Sequence, residues 1–144
     1  MRLGFSFLSA LRSLGVVSIL AVAAAPSGCI VTTNDPPPAS GSLVVTWDIQ
    51  GSTAPASCNA HTVSEINIRI YDRNGTQVGS NYRQTCTVFS TSIPIGFSPG
   101  SYTVQAELLD ATARVRTTTV TAPITISSGF TTQQDVTFPD KSFF

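Results

Sequence analysis

Between Leu43 and Ile49 every second residue is apolar: Leu43, Val45, Trp47 and Ile49 alternate with Val44, Thr46, Asp48 and Gln50. A period of two places the first set on one face of a β-strand and the second on the other. The stretch "TVSEINIRIYD" repeats the pattern, with Ile66, Ile68 and Ile70 inward and Asn67, Arg69 and Tyr71 outward. Further strands are predicted over 77–88, 92–95, 101–109, 113–121, 123–127 and 131–138, separated by Gly, Pro, Asn, Asp and Ser. No stretch carries a strong helical period. Seven or eight short strands with turn residues between them predict an all-β domain, an antiparallel β-sandwich over residues 42–139, followed by a tail over 140–144.

One turn can be tested against the strands it joins. In "Asp72-Arg73-Asn74-Gly75" a two-residue loop would set Ile70 opposite Gly79 and Ile66 opposite Arg83. A three-residue loop, Arg73 to Gly75, sets Ile70 opposite Val78 and Ile66 opposite Tyr82. A slip of one residue turns every side chain to the other face, so the apolar pattern selects the longer loop. Its residues agree, with Asp opening a type I turn and Gly in the left-handed position. Continued to its end, this register puts Cys86 opposite Thr62, with Cys58 four residues earlier on the lead-in loop. Two domain cysteines in an oxidising compartment most simply pair. A Cys58–Cys86 disulfide would close a loop of about 29 residues, which on the chain-entropy account stabilises by about 3–4 kcal/mol.

The N-terminus has a different texture. Residues 1–13 carry Arg2 and Arg12 and no acid, and Leu14 to Ala25 is an uncharged apolar run of 12 residues. A spanning helix needs roughly 20, so the run is the length of a signal-peptide core. Two cleavage sites compete. "Ala23-Ala24-Ala25" fits an A-x-A site but is followed at once by Pro26. "Ser27-Gly28-Cys29" resembles a bacterial lipobox, with Pro26 standing where the pattern has an aliphatic residue. That resemblance implies a signal peptide over 1–28, lipidation of Cys29 and a membrane partner reached through the acyl chains. Each buried methylene contributes about 0.8 kcal/mol, and stable anchoring takes at least two chains, which a triacylated cysteine supplies. Ile30 in place of an Asp after the cysteine implies, by the same resemblance, the outer membrane of the cell envelope. Residues 29–41, with Pro36-Pro37-Pro38, read as a tether reaching up to ~40 Å at ~3.1 Å per residue.

Two further segments resemble known families. "Pro99-Gly100-Ser101-Tyr102-Thr103-Val104" is similar to the Pro-Gly-x-Tyr-x-Val segment of carboxypeptidase-regulatory-like (transthyretin-like) and immunoglobulin-like sandwich domains. In this reading Tyr102, Val104, Ala106 and Leu108 alternate into the core. "Thr131-Thr132-Gln133-Gln134-Asp135-Val136-Thr137-Phe138", taken with the Gly-Cys pair, resembles the closing strand of small myxobacterial-type lipoproteins. That group implies a fold and an anchor and brings no biochemical activity.

Composition removes several function classes. Charged residues are only 11% of the 144. After loss of the first 28 residues six basic side chains face eight acidic ones, a net charge of −2, which provides no footprint for nucleic acid. His61 is the only histidine, and it reads as an exposed loop residue. The carboxylates are scattered, and no nucleophile motif or phosphate-binding glycine loop occurs. The expectation is therefore no catalytic residues, no metal and no cofactor. Trp47 reads as a buried anchor. Glu107 and Arg116 could face each other on the solvent side of the "ELLDATARVR" hairpin. The outward stripe of Asn67, Arg69 and Tyr71 reads as an ordinary solvated face or, in its sharper form, as candidate binding residues. The terminal "KSFF" is expected to pack onto the end of the sandwich. The reading that unites these features is a non-catalytic, lipid-anchored envelope lipoprotein with a structural or binding role, contacting an envelope protein or carbohydrate. A soluble periplasmic ligand- or carbohydrate-binding sandwich is the alternative, and an enzyme comes third.

Overall fold

A computed structural model describes residues 39–144. Seven strands form two sheets. In chain order they are β1 (Gly41–Ile49), β2 (Glu65–Asp72), β3 (Tyr82–Thr85), β4 (Ser90–Phe97), β5 (Gly100–Leu109), β6 (Val120–Ile126) and β7 (Thr131–Phe138). One sheet has the order β4-β1-β7 and the other β3-β2-β5-β6. The fold is an all-β sandwich, and its faces are those that the alternation predicts. Leu43, Val45, Trp47 and Ile49 are buried along β1, and Ile66, Ile68 and Ile70 along β2. Val104, Ala106 and Leu108 of β5 complete the middle of the core, with Tyr102 packed half-buried beside them.

Not every pair is antiparallel. β1 and β7 run parallel, from Ser42 opposite Thr131 to Ile49 opposite Phe138. The chain reaches β7 by crossing from β6 in the other sheet, and this crossing sets its direction alongside β1. The expected strands 113–121 and 123–127 are instead one strand, β6, with Pro123 inside it. Proline lacks a backbone donor and is tolerated there because β6 is an edge strand. The sequence before it stays irregular, held to β5 by Arg116 N–H donating to the Leu108 carbonyl at 2.8 Å. A short helix, α1 (Pro55–Ala60), occupies the lead-in to β2, where no helix was expected.

The hairpin at Asp72 has the three-residue loop. Gly75 N–H donates to the Asp72 carbonyl at 3.0 Å, and Asp72 N–H to the Thr76 carbonyl at 2.9 Å. Val78 N–H then meets the Ile70 carbonyl at 2.7 Å, as the register requires. Beyond that point the pairing departs from the expected one. Ile66 lies opposite Gln84 and Ile68 opposite Tyr82, a shift of two residues. The segment Gly79–Asn81 bows out between Val78 and β3, and only an even shift preserves the inward face. Cys86 consequently meets Ser64, whose carbonyl accepts its N–H at 2.8 Å, and not Thr62. The shift does not disturb the pairing of cysteines: Cys58 on α1 and Cys86 form a disulfide with Cα atoms 6.2 Å apart.

A second turn copies the first with different residues. Asp110 N–H donates to the Arg114 carbonyl, and Ala113 N–H to the Asp110 carbonyl, both at 2.9 Å. Here Ala113 holds φ of 61°, where the first turn has Gly75 at 77°. In each turn the leading carboxylate caps the loop: Asp72 accepts from Asn74 and Thr76 N–H, and Asp110 from Thr112 and Arg114 N–H. The Thr112 hydroxyl also donates to Asp110, and this bond, ahead of the others, holds its carboxyl below the ordinary carboxylate value. Asp135 is lowered as well, first by the Thr46 hydroxyl and then by Gln133.

Two predictions follow from these turns. A β-carbon in the left-handed region is disfavoured, so Ala113→Gly should raise stability by up to about 1 kcal/mol, and Gly75→Ala should lower it by about as much. Urea midpoints at unchanged m-value measure both. The carboxylates bind protons more weakly in the folded than in the unfolded chain. Their stabilisation is therefore complete above the unfolded value of about 3.9 and is lost as pH falls through the folded values. The thermal midpoint should drop on acidification through that range, and less steeply in an Asp110→Asn, Asp135→Asn double variant.

Candidate functional site on the outer face of the four-stranded sheet

The outward positions of β2 meet those of β5 in register: Asn67 opposite Glu107, Arg69 opposite Gln105, Tyr71 opposite Thr103. This brings the three candidate binding residues onto one face, which divides into two unlike halves. In the upper half, Asn67 Nδ2 donates to Glu107 Oε1 at 2.9 Å and Arg69 Nη2 to Glu107 Oε2 at 3.1 Å. Asn67 is only 4% exposed and Glu107 only 8%. Asn67 points outward as expected, but it is not a solvated side chain. Its cross-strand neighbour Glu107 engages its amide N–H, and Arg69 binds the other oxygen of that carboxylate.

Glu107 is therefore taken by Arg69, and the expected Glu107–Arg116 pair does not form. Its cause is the register of the second turn, which sets Val115 beside Leu109 and carries Arg116 to the end of the sandwich. There Arg116 joins His61, Phe143 and Phe144 around a shallow depression of about 320 Å³. His61 is half-buried, not exposed: its ring stacks on Phe143 at 3.9 Å between centroids, and Nε2 lies 3.2 Å from Gln50 Nε2. Of the two terminal aromatics Phe143 packs onto the sandwich end, where Thr118 N–H donates to the Ser142 carbonyl at 2.8 Å, whereas Phe144 is exposed.

The lower half of the face is open. Tyr71, Arg73, Thr103 and Gln105 border a depression of about 490 Å³ beside the Asp72 turn. A second, of about 390 Å³, continues across β5 to Pro123 and Thr125 of the edge strand. A third, of about 420 Å³, rounds the turn to Asn74, Pro99 and Ser101. Arg73 borders all three. Together they form a groove bordered by the half-buried Tyr71 and Tyr102, one exposed guanidinium and a lining of hydroxyls and amides. Sequence reasoning found Tyr71 but not Arg73, Thr103 or Gln105. The signal was present in the hairpin register, which puts Arg73 at the tip of the same face.

Trp47 is a core residue, 2% exposed, with its indole N–H donating to the Cys86 carbonyl at 2.9 Å. Among the described residues no three His, Cys, Asp or Glu side chains gather in a metal-binding arrangement. Cys29 and the tether through Pro38 lie outside the described residues.

The two ion pairs of this sheet should respond differently to neutralisation. Arg69–Glu107 is largely buried, whereas Arg83 and Glu65, 3.6 Å apart, are each about half exposed. Glu107→Gln leaves a half-buried guanidinium without its counter-charge and should cost about 1–3 kcal/mol. Arg83→Gln should cost less than about 1 kcal/mol. Chemical denaturation of the two variants makes the comparison.

No family model matches the sequence, and no curated protein does. Two solved structures from Bacteroides thetaiotaomicron are similar in shape. One is a candidate polysaccharide-binding protein (DUF1812), 9% identical with a TM-score of 0.44, matched over 67% of this chain and 46% of that one. The other is a leucine-rich repeat protein, 17% identical with a TM-score of 0.42, matched over 68% of this chain and 12% of that one. The chain thus spans less than half the length of either structure.

Proposed function

We propose that this protein is a non-catalytic, lipid-anchored lipoprotein of the bacterial envelope that displays a carbohydrate-binding sandwich on a short tether. The anchor is Cys29, acylated after removal of residues 1–28, and the membrane is the outer one. The observation that carries the binding half of the reading is the open groove beside Tyr71. A sugar ring offers an apolar C–H face and a rim of hydroxyls. Tyr71 can take the first, and Thr103, Gln105 and Arg73 can take the second. Arg73 is a fork of donors and no acceptor, which favours sugars bearing carboxylate or other acidic groups. The neighbouring Asn67–Glu107–Arg69 cluster supports the groove by holding β2 and β5 in register without itself contacting ligand.

The second reading is a soluble periplasmic binding protein, favoured by the A-x-A sequence at Ala23–Ala25. The mass of the exported protein's N-terminal peptide separates the two, because only the first carries acyl groups on Cys29.

Binding itself is tested on a glycan array with the purified protein. Tyr71→Ala and Arg73→Ala should each weaken the best glycan at least tenfold, with the circular dichroism and thermal midpoint unchanged. An array with no bound glycan, or binding indifferent to both substitutions, removes the carbohydrate reading.

A further inference from the structure

The end of the sandwich at which the chain arrives has a composition of its own. Antiparallel and parallel pairings place the start of β1, the Asp72–Gly75 turn, the β4–β5 turn and the β6–β7 loop together at this end. The β6–β7 loop grips the incoming chain. Ser128 Oγ donates to the Ala39 carbonyl at 2.9 Å, Gly129 N–H to the Ser40 carbonyl at 3.2 Å, and Ser42 N–H to the Phe130 carbonyl at 2.9 Å. The fit is close enough that a β-carbon on Gly41 would stand 2.4 Å from the Ser127 carbonyl oxygen. Loop and incoming chain are thus joined by three hydrogen bonds.

Phe130 sits on that loop with 70% of its surface exposed and takes no part in the core. The loop and turn residues at this end are small and uncharged at Ser40, Ser98, Pro99, Ser127, Ser128 and Gly129. Among the described residues, the charges in the loops at this end are Arg73 and Asp72, and Asp72 Oδ1 accepts two backbone N–H groups of its own turn. Glu65, Asp110 and Asp140 lie at the opposite end. Arg73 and Asp72 offset one another, so these loops present no net charge to a headgroup layer.

We propose that this end is a membrane-contacting foot, with Phe130 seated at the boundary between headgroups and acyl chains. The inference rests on the reading of Cys29 as the lipid anchor. Ala39 is ten residues on from Cys29, a span of at most about 36 Å when fully extended. The opposite end, where Val88, Val115 and Phe144 are exposed, lies a nine-residue strand away, about 30 Å. Contact there demands a nearly taut tether, whereas the Phe130 end meets the surface at every tether length. An exposed aromatic side chain on a loop without net charge suits the interfacial layer. The acyl chains on Cys29 hold the protein to the membrane, and Phe130 fixes which way the domain stands.

The test uses the full-length acylated protein in vesicles of phosphatidylethanolamine and phosphatidylglycerol, some lipids carrying bromine near the top of the acyl chain. Trp47 is the only native tryptophan and is buried, so wild-type emission should be indifferent to bromine. Phe130→Trp should add blue-shifted emission that brominated lipid quenches at least twofold. Val88→Trp, at the opposite end, should add emission that is not quenched. Equal quenching of the two sites, or none at position 130 while mass spectrometry shows acylated Cys29, overturns the foot and leaves the anchor standing. A Cys29 without acyl mass overturns the anchor, and the foot with it.

Discussion

The sandwich is organised around a buried donor that needs an acceptor. Trp47 is in the middle strand of its sheet and faces the core, so its indole N–H is out of reach of water. Left unpaired it would cost about 1–3 kcal/mol. The Cys86 carbonyl supplies the bond, from the segment where the chain leaves β3 to cross to the other sheet. The same residue carries the disulfide to α1, and its N–H is bound by Ser64. One residue thus ties the middle strand of one sheet, the lead-in helix and the first strand of the other. Phe89, whose ring centroid is 6.3 Å from that of Trp47, closes the core above it.

What could be read from the chain follows from how local each signal is. Period-two alternation is a property of a single strand, and the buried faces of β1, β2 and β5 match it. The Asp72 turn was legible because Asp and Gly stand at the two positions that demand them. The Asp110 turn of the expected "ELLDATARVR" hairpin has the same hydrogen bonds with Ala113 in the left-handed place, and without glycine there its register was not marked. The two-residue shift at Gly79–Asn81 preserves the faces, so no hydrophobic pattern reports it. Pairings between distant strands were the least visible. The parallel partnership of β1 with β7 depends on the number of crossings between sheets.

The outer face shows the same division. Tyr71 was found as an outward aromatic, but its companions Thr103 and Gln105 come from β5, some thirty residues further along, and only the β2–β5 register joins them. The burial of Asn67 was invisible for a related reason. Its cover is Glu107, a residue that in sequence belongs to a different hairpin and seemed free to pair with Arg116. A carboxylate between an amide and a guanidinium turns one half of an exposed sheet into a closed surface, and this leaves Tyr71 at the border of the open half.

The position of β1 bears on how the protein acquires its shape. Its two neighbours, β4 and β7, begin about fifty and ninety residues after it starts, so the strand made first is the one completed last. Until β7 emerges, the edge of β1 that will receive it stays bare, together with the ladder that buries Val136 and Phe138. The β2–β5 pairing can close earlier, without either terminus. Such distant pairing slows the search for the native state, because the long loop between β1 and β7 must close before their contacts reward it.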